Sequence, residues 1–277
     1  MKEVITMWKN TRMIILVALS AAIYAAFLIV FKGGIPIVPG VTEVRPANVF
    51  PPVFSLLFGP AGAWGSAIGN LIGDLFGGTL GIGSIFGFVG NFFLGFIPYK
   101  MWGSVFGLTS DDVSPTTNSA KKIAAFEIVA LVASAACGII IAWYLDLAAI
   151  VPFAFLAITI TVNNFAAAVV LGPILLSLLY PRVKRWGLVW TDIMDVEDVA
   201  VGKARNLGSI LMIVGAIGGL VVGLLVASGV AGQTIYGFTG EQSQVAVWAS
   251  VLPFLLLIVV ASVMLSGREQ FVEDDED

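Results

Sequence analysis

From Met13 to Phe31 the chain carries no charged residue. As a helix rising about 1.5 Å per residue, such a stretch is long enough to cross a hydrocarbon core about 30 Å thick. Further apolar runs follow at Pro46–Gly78, Ile82–Pro98, Ile123–Leu145, Pro152–Tyr180, Ser209–Ala227 and Val245–Leu265. They raise the hydrophobic share to 58% of 277 residues and leave 12% charged, about half the charged fraction of a soluble domain. Because any globule leaves much of its surface in water, a soluble fold of this length could not hide so much apolar area. The sequence predicts an all-α, polytopic membrane protein.

Pro46–Gly78 is too long for one span: at about 1.5 Å per residue it would reach roughly 50 Å. The Gly59-Pro60 pair in its middle divides it into two helices, the first of them short. That makes eight spans with both termini on the cytoplasmic side, leaving only Lys32 and Arg45 of the 14 Lys and Arg outside. A single crossing there, with the N-terminus outside, satisfies the charge rule nearly as well. Span length, and the cost of translocating Lys2, Lys9 and Arg12, favour eight. The most polar interruption, Tyr180–Asn206, sets the domain plan. Residues 1–186 form a six-helix membrane domain, 187–207 a cytoplasmic linker, 208–266 a two-helix membrane hairpin and 267–277 an acidic cytoplasmic tail.

Counting excludes several chemistries. There is no histidine, so imidazole bases and His-ligated metals are absent. One cysteine, Cys137, forms neither an internal disulfide nor a Cys-based metal site, and within an apolar run it reads as a small hydrophobe. No phosphate-binding G-x-x-x-x-G-K-[ST] loop occurs. The net charge of −4 argues against nucleic acid as a partner. No catalytic constellation and no metal site are expected.

In lipid, helices associate through small residues that let backbones approach. Such stripes recur as Ala18/Ala22/Ala26, Gly65/Gly69/Gly73/Gly77, Gly83/Gly87/Gly95 and Gly215/Gly219/Gly223. Internal packing explains the glycine stripes; for the alanines, docking on another membrane subunit is an equal reading. Polar groups at membrane depth are costly and mark function by default. Asn70 and Asp74 share a helix face one turn apart, Asn91 lies within the next glycine seam, and Asn163 and Asn164 sit mid-span. Arg45 closes the first external loop, while Trp143 and Tyr144 stand near an outer helix end, where an interfacial aromatic belt is an alternative reading. Glu127 is expected to snorkel or to pair with Lys121 or Lys122. Amides with one carboxylate on the outer side favour a small polar ligand.

The stretch VRPANVFPPVFSLLFGPAGAWGSAIGNLIGDLFGG, Val44–Gly78, resembles the substrate-binding (S) components of energy-coupling factor transporters. It carries a loop ending in R-P, a short helix with paired prolines, F-G-P, and a glycine-rich helix with G-N-x-x-G-D-L. The likeness covers about residues 13–186. It implies a six-helix bundle in the plasma membrane of a prokaryote that captures a vitamin, vitamin precursor or similar micronutrient from outside. It also implies a coupling transmembrane subunit and two ABC ATPases as partners, with ATP used by those ATPases and no cofactor in this chain. By the same resemblance Arg45 belongs to the gate, Asn91, Trp143, Tyr144, Asn163 and Asn164 line the pocket, and Ala18, Ala22 and Ala26 form the docking face. The two C-terminal helices depart from the six-helix plan.

Three other readings stand beside this one. A self-sufficient ion- or proton-coupled permease often shows inverted repeats, and none is evident. An intramembrane enzyme needs clustered carboxylates or a nucleophile with a base, whereas the spans hold only Asp74 and Glu127, expected near opposite faces. A structural subunit leaves the buried amides unexplained.

Overall fold

The computed structural model describes residues 1–31, 36–38, 42–43, 45–109, 112–202, 204–229 and 242–271. A short helix α1 (Lys2–Thr6) leads into α2 (Thr11–Phe31). Asn10 begins α2 by accepting from the amides of Arg12 at 2.9 Å and Met13 at 3.4 Å, a side-chain cap for otherwise orphaned donors. A two-stranded antiparallel hairpin, β1 (Pro36–Val38) and β2 (Thr42–Glu43), follows in the first loop. A 3₁₀ turn at Pro46–Val49 then runs into α3 (Phe50–Phe58), and α4 (Pro60–Phe76) starts directly after Gly59. Gly59 has φ +54°, a conformation that costs a glycine little, and Pro60 fits the first helical turn. The break expected at Gly59-Pro60 is thus a real reversal.

The bundle continues with α5 (Gly83–Met101), α6 (Ala120–Leu147) and α7 (Phe153–Arg185). After a short α8 (Trp190–Ile193), the chain re-enters through α9 (Arg205–Ile213), a π-helical turn at Val214–Gly218 and α10 (Gly219–Ala227), and ends with α11 (Gln242–Met264). Among the described residues, five helices are long and apolar enough to cross a membrane: those of Thr11–Phe31, Ala120–Leu147, Phe153–Ile193, Arg205–Ala227 and Gln244–Met264. Pro46–Phe58 is shorter and lies inside the bundle, where Val53, Leu56 and Leu57 are fully buried.

Close approach of backbones holds the front of the bundle together. A Cβ placed on Gly65 would lie 2.4 Å from the Ser20 Cβ and 3.2 Å from the α2 backbone, and one on Gly69 would meet the carbonyl of Ala21 at 2.9 Å. The glycine stripe of α4 is therefore the seat for the Ala21/Ala25 face of α2. Ala18, Ala22 and Ala26 lie beside that face, about 80° round the helix, and are exposed. The C-terminal hairpin packs against α6 and α7: Gly219 meets Ile139, and Gly223 receives the ring of Phe153.

At the end of the bundle that carries α1, the segments interlock. The Glu3 carboxylate and Lys100 ammonium form an ion pair with both side chains fully buried. Glu3 also accepts from the Tyr99 hydroxyl at 3.4 Å and the Ala200 amide at 3.3 Å, while Lys100 donates to the Leu265 carbonyl at 3.2 Å. Segment 187–207 does not hang free: Trp190 is fully buried, its ring over Gly59 and edge-on to Tyr99, and its Nε1 donates to Gln270 at 3.2 Å. The start of the acidic tail, through Phe271, packs on the same ring; residues 272–277 lie outside the described residues. Lys122 pairs with Asp112 rather than with Glu127.

Gly65→Ala is expected to force α2 and α4 apart and cost about 1–3 kcal/mol, seen as a lowered melting temperature in detergent. Burial alone would raise the Glu3 pKa, but the charge and hydrogen bond of Lys100 outweigh it and hold it below the ordinary 4.5. The pair's contribution is therefore complete above pH 4.5 and is lost as pH falls through the depressed folded value. Glu3→Gln leaves Lys100 buried without its partner, with an expected cost of about 3–5 kcal/mol near neutrality. In melts across pH, the gap between wild type and variant should narrow on acidification.

Candidate ligand cavity

A cavity of about 280 Å³ opens at the end of the bundle where α4 meets α5 and α6 meets α7. Helical periodicity delivers its walls. Asn70 and Asp74 come from α4, Gly83, Gly87 and Asn91 from α5, and Cys137, Ile141 and Leu145 from α6, each set at four-residue spacing on one face. On α7 the spacing is that of Leu156, Ile160, Asn163 and Asn164. Arg45 and Asn48 enter from the start of the 3₁₀ turn, and Thr79, Gly81 and Ile150 stand where the two helix-joining loops begin. The wall thus combines amides, a carboxylate and Arg45 with aliphatic side chains of α6 and α7.

The amides are deeply placed: Asn48, Asn70, Asn91 and Asn164 are each under 5% exposed. Asn70 donates to Asp74 at 3.4 Å, and the Thr79 hydroxyl donates to the other carboxylate oxygen at 3.3 Å. Asn163 accepts from the backbone amide of Arg45 at 3.1 Å, tying the start of the 3₁₀ turn to α7. The amides of Asn48 and Asn164 hydrogen-bond each other, and the Tyr24 hydroxyl lies 2.8 Å from both Asn48 and Asn91. One end of the Asn164 amide is buried with no hydrogen-bond partner, at a cost of about 1–3 kcal/mol unless something in the cavity fills it. Gly87 keeps the space open, since a Cβ there would lie 3.0 Å from the Asn70 amide nitrogen.

Amides neither ionise nor attack; they offer fixed donors and acceptors. Flanked by one cation and one anion, they suit holding a small polar molecule in one orientation. Six of the predicted residues, Arg45, Asn70, Asp74, Asn91, Asn163 and Asn164, come together here. Trp143 and Tyr144 do not. Trp143 lies two residues beyond Ile141, about 200° round the helix, and donates from Nε1 to the Trp248 carbonyl at 3.0 Å while stacking on that ring. Tyr144 stacks on Phe86 with centroids 3.6 Å apart. Their aromatic surfaces brace helices, so the described cavity wall has no aromatic member. Sequence reasoning missed Asn48 and Cys137 as lining residues. Asn48 could have been found as another amide beside a long apolar run; nothing in the run around Cys137 marks it.

No curated protein and no solved structure matches the chain. The family model described as QueT transporter matches residues 14–181, more than half of the chain and all of the cavity-forming part. This multi-pass membrane protein, helical apart from one small hairpin, belongs to the QueT transporter family.

Proposed function

We propose that the chain is the substrate-specificity subunit of an energy-coupling factor importer. In this reading it takes up a vitamin precursor or similar small polar micronutrient from outside a prokaryotic cell and delivers it inwards. Family membership supports a transport role. The observation that carries the ligand reading is the amide-lined cavity with its unpartnered, buried end of Asn164. A queuosine precursor, the cargo associated with this family, fits the chemistry: a flat nitrogen heterocycle presents donors and acceptors along its edge, as the asparagines require.

The remaining parts follow from that role. Arg45, at the end of the first loop and bonded through its backbone to Asn163, is read as part of the gate. The outward stripe of Ala18, Ala22 and Ala26 offers a smooth helix face to a coupling transmembrane subunit, which would bring two ABC ATPases. ATP is then used by those chains, and no cofactor is assigned to this one. The orientation has both termini in the cytoplasm and the cavity facing out. The C-terminal hairpin lies on α6 and α7 and does not cover the alanine stripe.

Asn91→Ala and Asn163→Ala should each weaken binding of the precursor about 10- to 100-fold, as expected for losing one buried hydrogen bond, with helical content unchanged. Calorimetry on purified protein measures this; unchanged affinity in both would remove the cavity as the site. Ala22→Trp should leave that affinity intact while abolishing uptake into cells expressing the whole transporter. Equal loss of folding and binding would instead make the stripe internal packing.

A further inference from the structure

We infer that the C-terminal hairpin, although it lies outside the residues matched by the family model, belongs to the binding machinery: Gly223 seats Phe153, and Phe153 holds the turn between α6 and α7 that walls the cavity. This rests on the cavity being the ligand site.

The turn is built to be held from outside. α6 stops where the Ile150 amide donates to the Leu145 carbonyl and the Ala149 amide to that of Asp146, both at 2.9 Å. Such paired bonds usually close a helix around a glycine. Here the residue with positive φ, at +55°, is Ala149, whose Cβ makes that conformation strained. Across the turn an Asp146 carboxylate oxygen accepts from the Phe153 amide at 2.8 Å, fixing the first residue of α7 against the last turn of α6. Leu145, Ile150 and Leu156 stand before, within and after this unit, and all three line the ligand cavity.

Little stands behind the turn. Between it and the hairpin lies a second cavity of about 260 Å³, bounded by residues 149–154 on one side and by Ala227 and Val247 on the other. Ile150 lines both cavities, so the turn is a partition with open space on each face and not part of a close-packed wall. Its anchor is Phe153, which is only 1% exposed. A Cβ on Gly223 would lie 2.5 Å from the tip of that ring and 2.9 Å from Val251. The ring therefore fills the room that the missing side chain leaves between α10 and α11, and a larger residue at 223 must push it out. Because Asp146 ties the Phe153 amide to the end of α6, that displacement passes to Ile150 and Leu156 and misplaces the aliphatic part of the cavity wall. Among the described residues the wall does not include Phe153 itself, which is a positioning residue.

The test is calorimetry of the full chain in detergent with a queuosine precursor, alongside thermal melts of the same samples. Wild type is the reference: if it does not bind the precursor, the proposed function fails and the role of the hairpin falls with it. Where wild type binds, Gly223→Leu should raise Kd about tenfold or more. Gly223→Ala adds a single carbon, remains folded where the larger side chain does not, and should raise Kd about threefold. Combining Gly223→Leu with Phe153→Ala returns the lost room and should bring Kd back to within about threefold of wild type. A lowered melting temperature with unchanged affinity in the Gly223 variants would make the contact packing alone and overturn the inference. A double variant that binds no better than Gly223→Leu would overturn it as well.

Discussion

Inside a membrane bundle a polar side chain has nowhere to turn except to another polar side chain, the backbone or a ligand, and this constraint organises the front half of the molecule. Five asparagines, one arginine and one aspartate converge at one end of helices that are otherwise nearly all apolar. Such groups are costly at this depth, and here they satisfy one another through Tyr24, the Gly87 carbonyl and the Arg45 backbone. Among the described residues one buried amide nitrogen, Nδ2 of Asn164, is left without a hydrogen-bond partner, which supports the proposed ligand site.

Tight backbone contact makes that convergence possible. The glycines of α4 bring α2 close enough for Tyr24 to reach Asn48 and Asn91, and Gly87 leaves room for Asn70. A bulkier residue at any of these positions would fill the cavity or move a member of the network. At the opposite end the buried Glu3–Lys100 pair ties α1, α5, the 187–207 segment and the end of α11 into one junction. Each end of the bundle thus has its own polar network, one lining the cavity and the other sealed inside the protein.

Much of this was legible in the sequence, for identifiable reasons. Helix positions followed from uninterrupted apolar length, and the break at Gly59-Pro60 followed from what those two residues tolerate. Asn70, Asp74, Asn91, Asn163 and Asn164 were singled out by the cost of a polar group in lipid, and helical spacing brings them to one place. Trp143 and Tyr144 were assigned to the pocket although the structure turns them onto Trp248 and Phe86. The reason is that α6 is apolar all round, so its sequence holds no record of which face looks inward. Tyr24 was invisible as a polar residue, because its ring belongs to an apolar stripe and only the hydroxyl tip matters. Trp190 shows the same limit in a polar segment: its burial under Gly59 depends on the reversal at that residue, which brings together positions more than a hundred apart in sequence.

The account centres on the capture of one small polar molecule in the amide-lined cavity. The most direct test is native mass spectrometry of the detergent-purified chain, looking for a co-purified small molecule. The account predicts a single bound metabolite carrying hydrogen-bond donors, retained by wild type and lost from a variant with Asn91 and Asn163 both replaced by alanine. A wild-type protein that is empty, and that queuosine precursors and a panel of vitamins do not stabilise in thermal melts, would contradict it.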